Sequence, residues 1–212
     1  MRIASDSKLV LIGDSITDCG RMGLNPPLGN GYVKLLADLF VIRNPELNPS
    51  LTNRGIGGDR ITGLRSRWNE DVIKLDPDWL CVLIGINDLH SVLRDDPNAV
   101  YPQLYRQAYD DILLATKKEL PDCKLILMEP FYMATESTED EIQRSVLRLL
   151  PDYLNVVHAM ADRYAALLVR LHEEFQRLLE HHEPQVFCPE TVHPNMTGHL
   201  AIAESLYAVL DS

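Results

Sequence analysis

Five short apolar runs, separated by longer stretches of helical periodicity, set the strongest limit on what this chain can fold into. Residues 8–12, 51–53, 79–84, 124–128 and 166–169 have the length and apolar character of strands. Between and after them, residues 31–40, 61–73, 101–120, 139–164, 171–181 and 197–210 carry apolar side chains at spacings of three and four, which predicts helices. A strand-helix alternation of this kind predicts a parallel sheet, because a parallel connection must be long enough to hold a crossover helix. No repeat, low-complexity tract or Pro/Gly/Ser linker divides the chain, so residues 1–212 are expected to form one domain.

Open parallel sheets bind ligands at the carboxyl ends of their strands. The residues just past the first three strands therefore matter most. The first is followed by Gly13-Asp14-Ser15-Ile16-Thr17-Asp18, a tight turn that exposes Ser15 at the start of a helix. Ser15 there has two readings: an N-cap accepting a backbone N–H, for which Ser and Asp are both favoured, or a nucleophile whose own N–H helps receive an oxyanion. The second strand leads into Asn53-Arg54-Gly55-Ile56-Gly57-Gly58-Asp59-Arg60. Its glycines permit positive φ and close approach of a ligand, although an ordinary glycine-rich loop reads the same way. A dinucleotide fingerprint is disfavoured, since Arg60 stands where the third glycine is needed and the motif follows the wrong strand. The third strand leads into Gly85-Ile86-Asn87-Asp88-Leu89. Asn87 can offer a side-chain amide to an oxyanion and Asp88 can hold the loop through backbone hydrogen bonds; Asn-Asp is also plain turn chemistry.

A fourth segment, Pro189-Glu190-Thr191-Val192-His193-Pro194-Asn195-Met196-Thr197-Gly198-His199, precedes the last helix. A loop histidine is commonly just polar. Histidine is also the side chain best suited to take a proton from serine near neutral pH, and a carboxylate three residues earlier, Glu190, can bond the other ring nitrogen of His193.

Taken together and in this order, the four segments resemble the conserved blocks of the SGNH (GDSL) hydrolase superfamily. The match is GDSITD with Ser15, NRGIGGD with Gly58, GIND with Asn87 and ETVHPNMTGH with His193, and it runs from Leu9 to the terminal helix. Cys19-Gly20-Arg21, Gly31-Tyr32-Val33, Arg67 to Val72 and Glu129-Pro130-Phe131-Tyr132 are similar to a subgroup that contains bacterial acetylxylan esterases. The resemblance implies a three-layer α/β/α sandwich of flavodoxin type with a five-stranded parallel sheet. It implies a serine esterase working through an acyl-enzyme, with Ser15, His193 and Glu190 catalytic, an oxyanion hole formed by Ser15, Gly58 and Asn87, and Asp14 and Asp88 in support. Deacetylation of sugars such as xylo-oligosaccharides is the expected activity. One residue departs from the pattern: the family usually has Asp three residues before its histidine, and this chain has Glu190. The expectation is then a triad through Glu190 or a Ser-His dyad.

Composition narrows the rest. With 20 basic and 31 acidic residues the net charge is −11, which repels phosphate backbones and anionic membranes; a neutral small-molecule ester substrate meets no such barrier, and nucleic acid and membrane are not expected partners. Cys19, Cys81, Cys123 and Cys188 lack metal-finger or CxxC spacing, and no metal or cofactor is expected. His181 and His182, with Glu180 and Glu183, read as a solvated helix face; His199 reads as structural and His90 as pocket-lining or surface. The N-terminal apolar run is too brief for a signal peptide, so the expected location is cytoplasmic; assembly into a homo-oligomer is left open. Competing readings are a lysophospholipase or general short-chain esterase with the same site, a catalytically decayed carbohydrate-binding protein, and, more remotely, a nucleotide-binding oxidoreductase.

Overall fold

In the computed structural model, which describes residues 2–135 and 137–211, the first strand β1 (Lys8–Gly13) is an inner strand of the sheet. Leu9 through Ile12 are buried, so both faces of the strand must be covered. Its neighbours are β2 (Ser50–Gly55) on one side and β3 (Trp79–Leu83) on the other, and β4 (Lys124–Met128) and β5 (Leu167–Val169) extend the sheet in the order β2-β1-β3-β4-β5, every pair parallel. This is the expected five-stranded α/β sandwich.

Helices cover both faces. On one, α2 (Tyr32–Arg43) packs along α8 (Met196–Asp211), tied by an Arg43–Glu204 ion pair and by the Tyr207 hydroxyl donating to Asn44. On the other, α3 (Ile61–Asp71), α5 (Pro102–Glu119) and α6 (Glu141–Tyr164) lie side by side; the buried Trp68 indole of α3 donates to Thr116 Oγ1 of α5 at 2.9 Å. Tyr105, Tyr109 and Tyr153 fill the gap between α5 and α6, with ring centroids 5.0 and 5.4 Å apart in edge-to-face geometry. Three shorter α-helices, α1 (Ser15–Asp18), α4 (Ile86–Leu93) and α7 (Leu171–Leu179), and two single 3-10 turns, Ile73–Leu75 and Pro184–Val186, complete the elements among the described residues. Among the described residues, no helix is long and apolar enough to cross a membrane.

The sequence expectations differ from these bounds at places with local causes. Helix α6 starts at Glu141, not 139, because the Asp140 carboxylate accepts from the Ile142 and Gln143 N–H groups and fixes the first turn there. Helix α7 stops at Leu179, so His181 and His182 lie in the turn after it instead of on a helical face. The segment after β3, read as a loop, is the helix α4. Ile86 and Leu89, three residues apart, bury one side of it, and Gly85 at φ 138° opens it with no room for a side chain: a Cβ would meet the Tyr105 hydroxyl at 2.8 Å.

Candidate active site

Strand order reverses beside β1: the chain leaves it towards β2 on one side and returns to β3 on the other. A crevice therefore opens between the carboxyl ends of β1 and β3. Ser15 follows β1, Gly58 follows β2 and Asn87 follows β3.

Ser15 is the first residue of α1, and the residue before it takes the capping role. The Asp14 carboxylate accepts from the Ile16 N–H at 3.0 Å, which leaves the Ser15 hydroxyl free of capping duty. That hydroxyl sits 2.9 Å from His193 Nε2. Burial pushes the Asp14 carboxyl up to about 7, against the pull of the Ile16 hydrogen bond and of His193.

His193 lies on an irregular loop held from several directions. Cys188 and Val192 are buried, the Met133 N–H donates to the Thr191 carbonyl at 2.9 Å, and the Asn195 N–H donates to the Phe187 carbonyl at 2.9 Å. Asn195 Oδ1 accepts from Thr197 and Gly198 N–H, capping α8 where the loop ends. His193 Nδ1 and Glu190 Oε1 are 2.5 Å apart. The extra methylene of Glu, relative to the family's usual Asp, does not prevent the contact. With the proton on Nδ1 donated to Glu190, Nε2 is left to accept from Ser15.

Strand β2 runs past Asn53 through Arg54 and Gly55, residues that the sequence reading places in the following loop. The chain then turns, with Asp59 N–H donating to the Ile56 carbonyl and Gly58 at φ +77°, the left-handed position that this turn reserves for glycine. A Cβ at Gly58 would meet no atom within 4 Å. Asn87 occupies the first turn of α4, half-buried, with its side-chain amide donating to the Asp59 carbonyl at 3.1 Å. Asp88 is fully buried, and its Oδ1 accepts from the Ile61 N–H and so caps α3. Burial drives its carboxyl up to about 7.

Several residues that shape the site were not singled out from sequence for that purpose. Asn53, a buried amide in a strand, accepts from the Gly55 N–H and donates to the Thr17 and Leu28 carbonyls at 2.6 and 2.8 Å, lashing α1 to β2. A polar residue at the end of an apolar run was the available signal. His199 is buried on the wall of the hollow that Ser15 also lines: Nδ1 accepts from the Tyr32 N–H at 3.3 Å, which leaves the proton on Nε2, 3.2 Å from Cys19 Sγ. Burial lowers its pKa to about 4, so it is neutral. His90 is half-buried, edge-on to Tyr132. A hollow of about 260 Å³ beside Ser15 and His193 is walled by Cys19, Asn30, Asn195 and Met196.

A serine hydroxyl on an imidazole whose far nitrogen meets a carboxylate can perform acyl transfer. Comparison with known proteins agrees with that chemistry. Residues 11–201 match the GDSL-like lipase/acylhydrolase family. An acetylxylan esterase from Geobacillus stearothermophilus is 35% identical over 213 residues, covering 97% of this chain and 94% of the relative. The crystal structure of Axe2, an acetylxylan esterase from that organism, superposes with a TM-score of 0.87 at 33% identity, covering 100% of this chain and 97% of the other. An alpha/beta hydrolase enzyme from the metagenome of Lake Arreo, Spain, superposes with a TM-score of 0.88 at 32% identity, covering 100% and 98%.

Proposed function

This chain belongs to the GDSL-like lipase/acylhydrolase family and is a carboxylic ester hydrolase, and from that premise we propose a serine esterase that removes acetyl groups from sugars, xylo-oligosaccharides among them, with residues 1–212 acting as one catalytic domain. The substrate class rests on the similarity to acetylxylan esterases. The hollow beside Ser15, with Asn30 and Asn195 on its walls, suits a small acyl group and hydroxyl-bearing neighbours.

His193 Nε2 takes the Ser15 proton as Oγ attacks the ester carbonyl, and Glu190 stabilises the imidazolium through Nδ1–H. The tetrahedral oxyanion is held by the Ser15 and Gly58 N–H groups and by the Asn87 amide, whose second N–H is not the one given to Asp59. The imidazolium then protonates the leaving sugar oxygen. Water, deprotonated by the same histidine, cleaves the acetyl-serine and releases acetate.

The observation that carries this reading is the continuous chain from Ser15 Oγ through His193 to Glu190, at 2.9 and 2.5 Å. A panel of acetylated xylo-oligosaccharides, aryl acetates and aryl octanoates tests it. Turnover of the acetyl esters, abolished in a folded Ser15→Ala protein, is expected. Retained activity in that variant would sink the mechanism, and a preference for octanoyl esters would move the substrate class towards longer acyl chains.

A further inference from the structure

A guanidinium carries five N–H groups in one rigid plane. In Arg67, on α3, all three nitrogens meet acceptors. Nε and Nη2 reach Asp59 Oδ2 at 2.9 and 2.8 Å; Nη1 donates to Asp71 Oδ2 at 2.6 Å and to the Arg54 carbonyl at 2.8 Å; Nη2 also donates to the Gly13 carbonyl at 3.3 Å. The side chain is 15% exposed, so water offers little competition for these contacts.

The acceptors have one thing in common. Gly13 ends β1, two residues before Ser15, and Arg54 is the penultimate residue of β2. Asp59 follows Gly58, and its own carbonyl takes one N–H of the Asn87 amide at 3.1 Å. A single side chain therefore reaches the ends of β1 and β2 directly and, through Asp59, the Asn87 amide in the first turn of the helix after β3, the places from which the proposed oxyanion donors project. We propose that Arg67 is a positioning residue of the oxyanion hole, fixing the Ser15 N–H, the Gly58 N–H and the Asn87 amide relative to one another.

This assignment rests on the reading of those three groups as oxyanion donors. Its physical content is that the Asp59 carbonyl occupies one N–H of Asn87 and thereby aims the other. Asp59 keeps that orientation because its carboxylate is gripped by Arg67 at Oδ2 and by the Arg60 N–H at Oδ1. Lysine can meet one carboxylate but cannot span the acceptors in one plane. A merely structural arginine would lower stability and leave turnover of the folded enzyme intact.

The test is steady-state hydrolysis of an aryl acetate by wild type, Arg67→Lys, Asn87→Ala and the double variant, each shown to be folded by circular dichroism. Asn87→Ala is expected to lose about 100-fold in kcat, as for other oxyanion donors. Arg67→Lys is expected to lose about 10-fold or more in kcat through misplacement of those donors, with KM within about twofold. The double variant is expected to lose less than the product of the two single losses, since both act on one donor. Should Arg67→Lys not fold, Asp59→Asn, which weakens the same contact and keeps the turn, carries the same expectation. A folded Arg67→Lys enzyme with wild-type kcat beside an impaired Asn87→Ala, or losses that multiply fully, overturns the Arg67 assignment alone. Wild-type kcat in Asn87→Ala overturns the oxyanion reading and this assignment with it.

Discussion

Glu190 Oε1 lies 2.5 Å from His193 Nδ1, yet the two side chains are 64% and 52% exposed respectively. A carboxylate so open to water orients an imidazole with less electrostatic force than a buried one, because solvent screens the pair and can replace either partner. Glu190→Ala is therefore expected to lower kcat by about 10- to 100-fold, well short of the roughly 10⁴-fold drop seen when a buried triad aspartate is neutralised. Kinetics of Glu190→Ala against Ser15→Ala checks this. Equal losses in the two variants would mean that Glu190 contributes as much as the nucleophile.

Two glycines near the site are predicted to fail differently when changed to alanine. At Gly55 a Cβ would stand 2.1 Å from the Asp18 N and 2.6 Å from the Thr17 carbonyl carbon, so α1, with Ser15 on it, must shift. A destabilisation of at least about 2 kcal/mol is expected, from backbone that cannot yield as a side chain would. At Gly58 the Cβ meets no atom within 4 Å, and only the left-handed φ of +77° resists, so about 1 kcal/mol is expected. Urea midpoints for Gly55→Ala and Gly58→Ala rank the two, and the reverse order would contradict this account.

Asp14 makes stability depend on pH in an unusual direction. Its folded pKa of about 7 lies above the ordinary 3.8 because burial penalises the charged form, so the native state holds a proton that the unfolded chain has released. The stability it contributes is full below the unfolded value and is lost as pH rises towards about 7. Asp14→Asn retains an oxygen for the Ile16 N–H and cannot ionise. Relative to wild type, its stability is expected to improve between about pH 5 and about pH 8, by at most a few kcal/mol. Chemical denaturation at the two pH values measures this, and parallel profiles would exclude the buried titration.

His199 works in the opposite sense. Burial lowers its pKa from 6.5 to about 4, so the unfolded chain takes up a proton that the folded protein refuses. Stability is expected to fall as pH drops through that window, and His199→Gln, which keeps an acceptor and a donor for Tyr32 and Cys19, is expected to fall less steeply. Thermal melts at about pH 4.5 and about pH 7 decide it. Identical slopes for the two proteins would remove His199 as the titrating group.

Four of the strands were legible in the sequence as apolar runs of strand length, while β2, Ser-Leu-Thr-Asn-Arg-Gly, carries a single apolar side chain, Leu51. Residues 124–128 were bounded as the structure has them, and the other strands moved at their ends by one or two residues. Helix α4 was not legible. Its Asn87 and Asp88 are turn formers in isolation, and only the burial of Ile86 and Leu89 against the core makes them helical. Likewise Ser15 read equally well as a cap, until Asp14 was found taking the Ile16 N–H.

What the sequence determined by itself is the alternation of strands and helices and the order in which Ser15, Gly58, Asn87 and His193 occur, since both are written in local spacing. What only the tertiary structure decided is their meeting. Ser15 and His193 are 178 residues apart, and the 2.9 Å between them depends on β1 lying inside the sheet between β2 and β3 and on α8 packing back beside α2. Arg67 belongs to the same category: besides Asp71 on its own helix, its acceptors are Gly13, Arg54 and Asp59, up to 54 residues away in the sequence, and no local pattern specifies how a guanidinium plane will be shared among them.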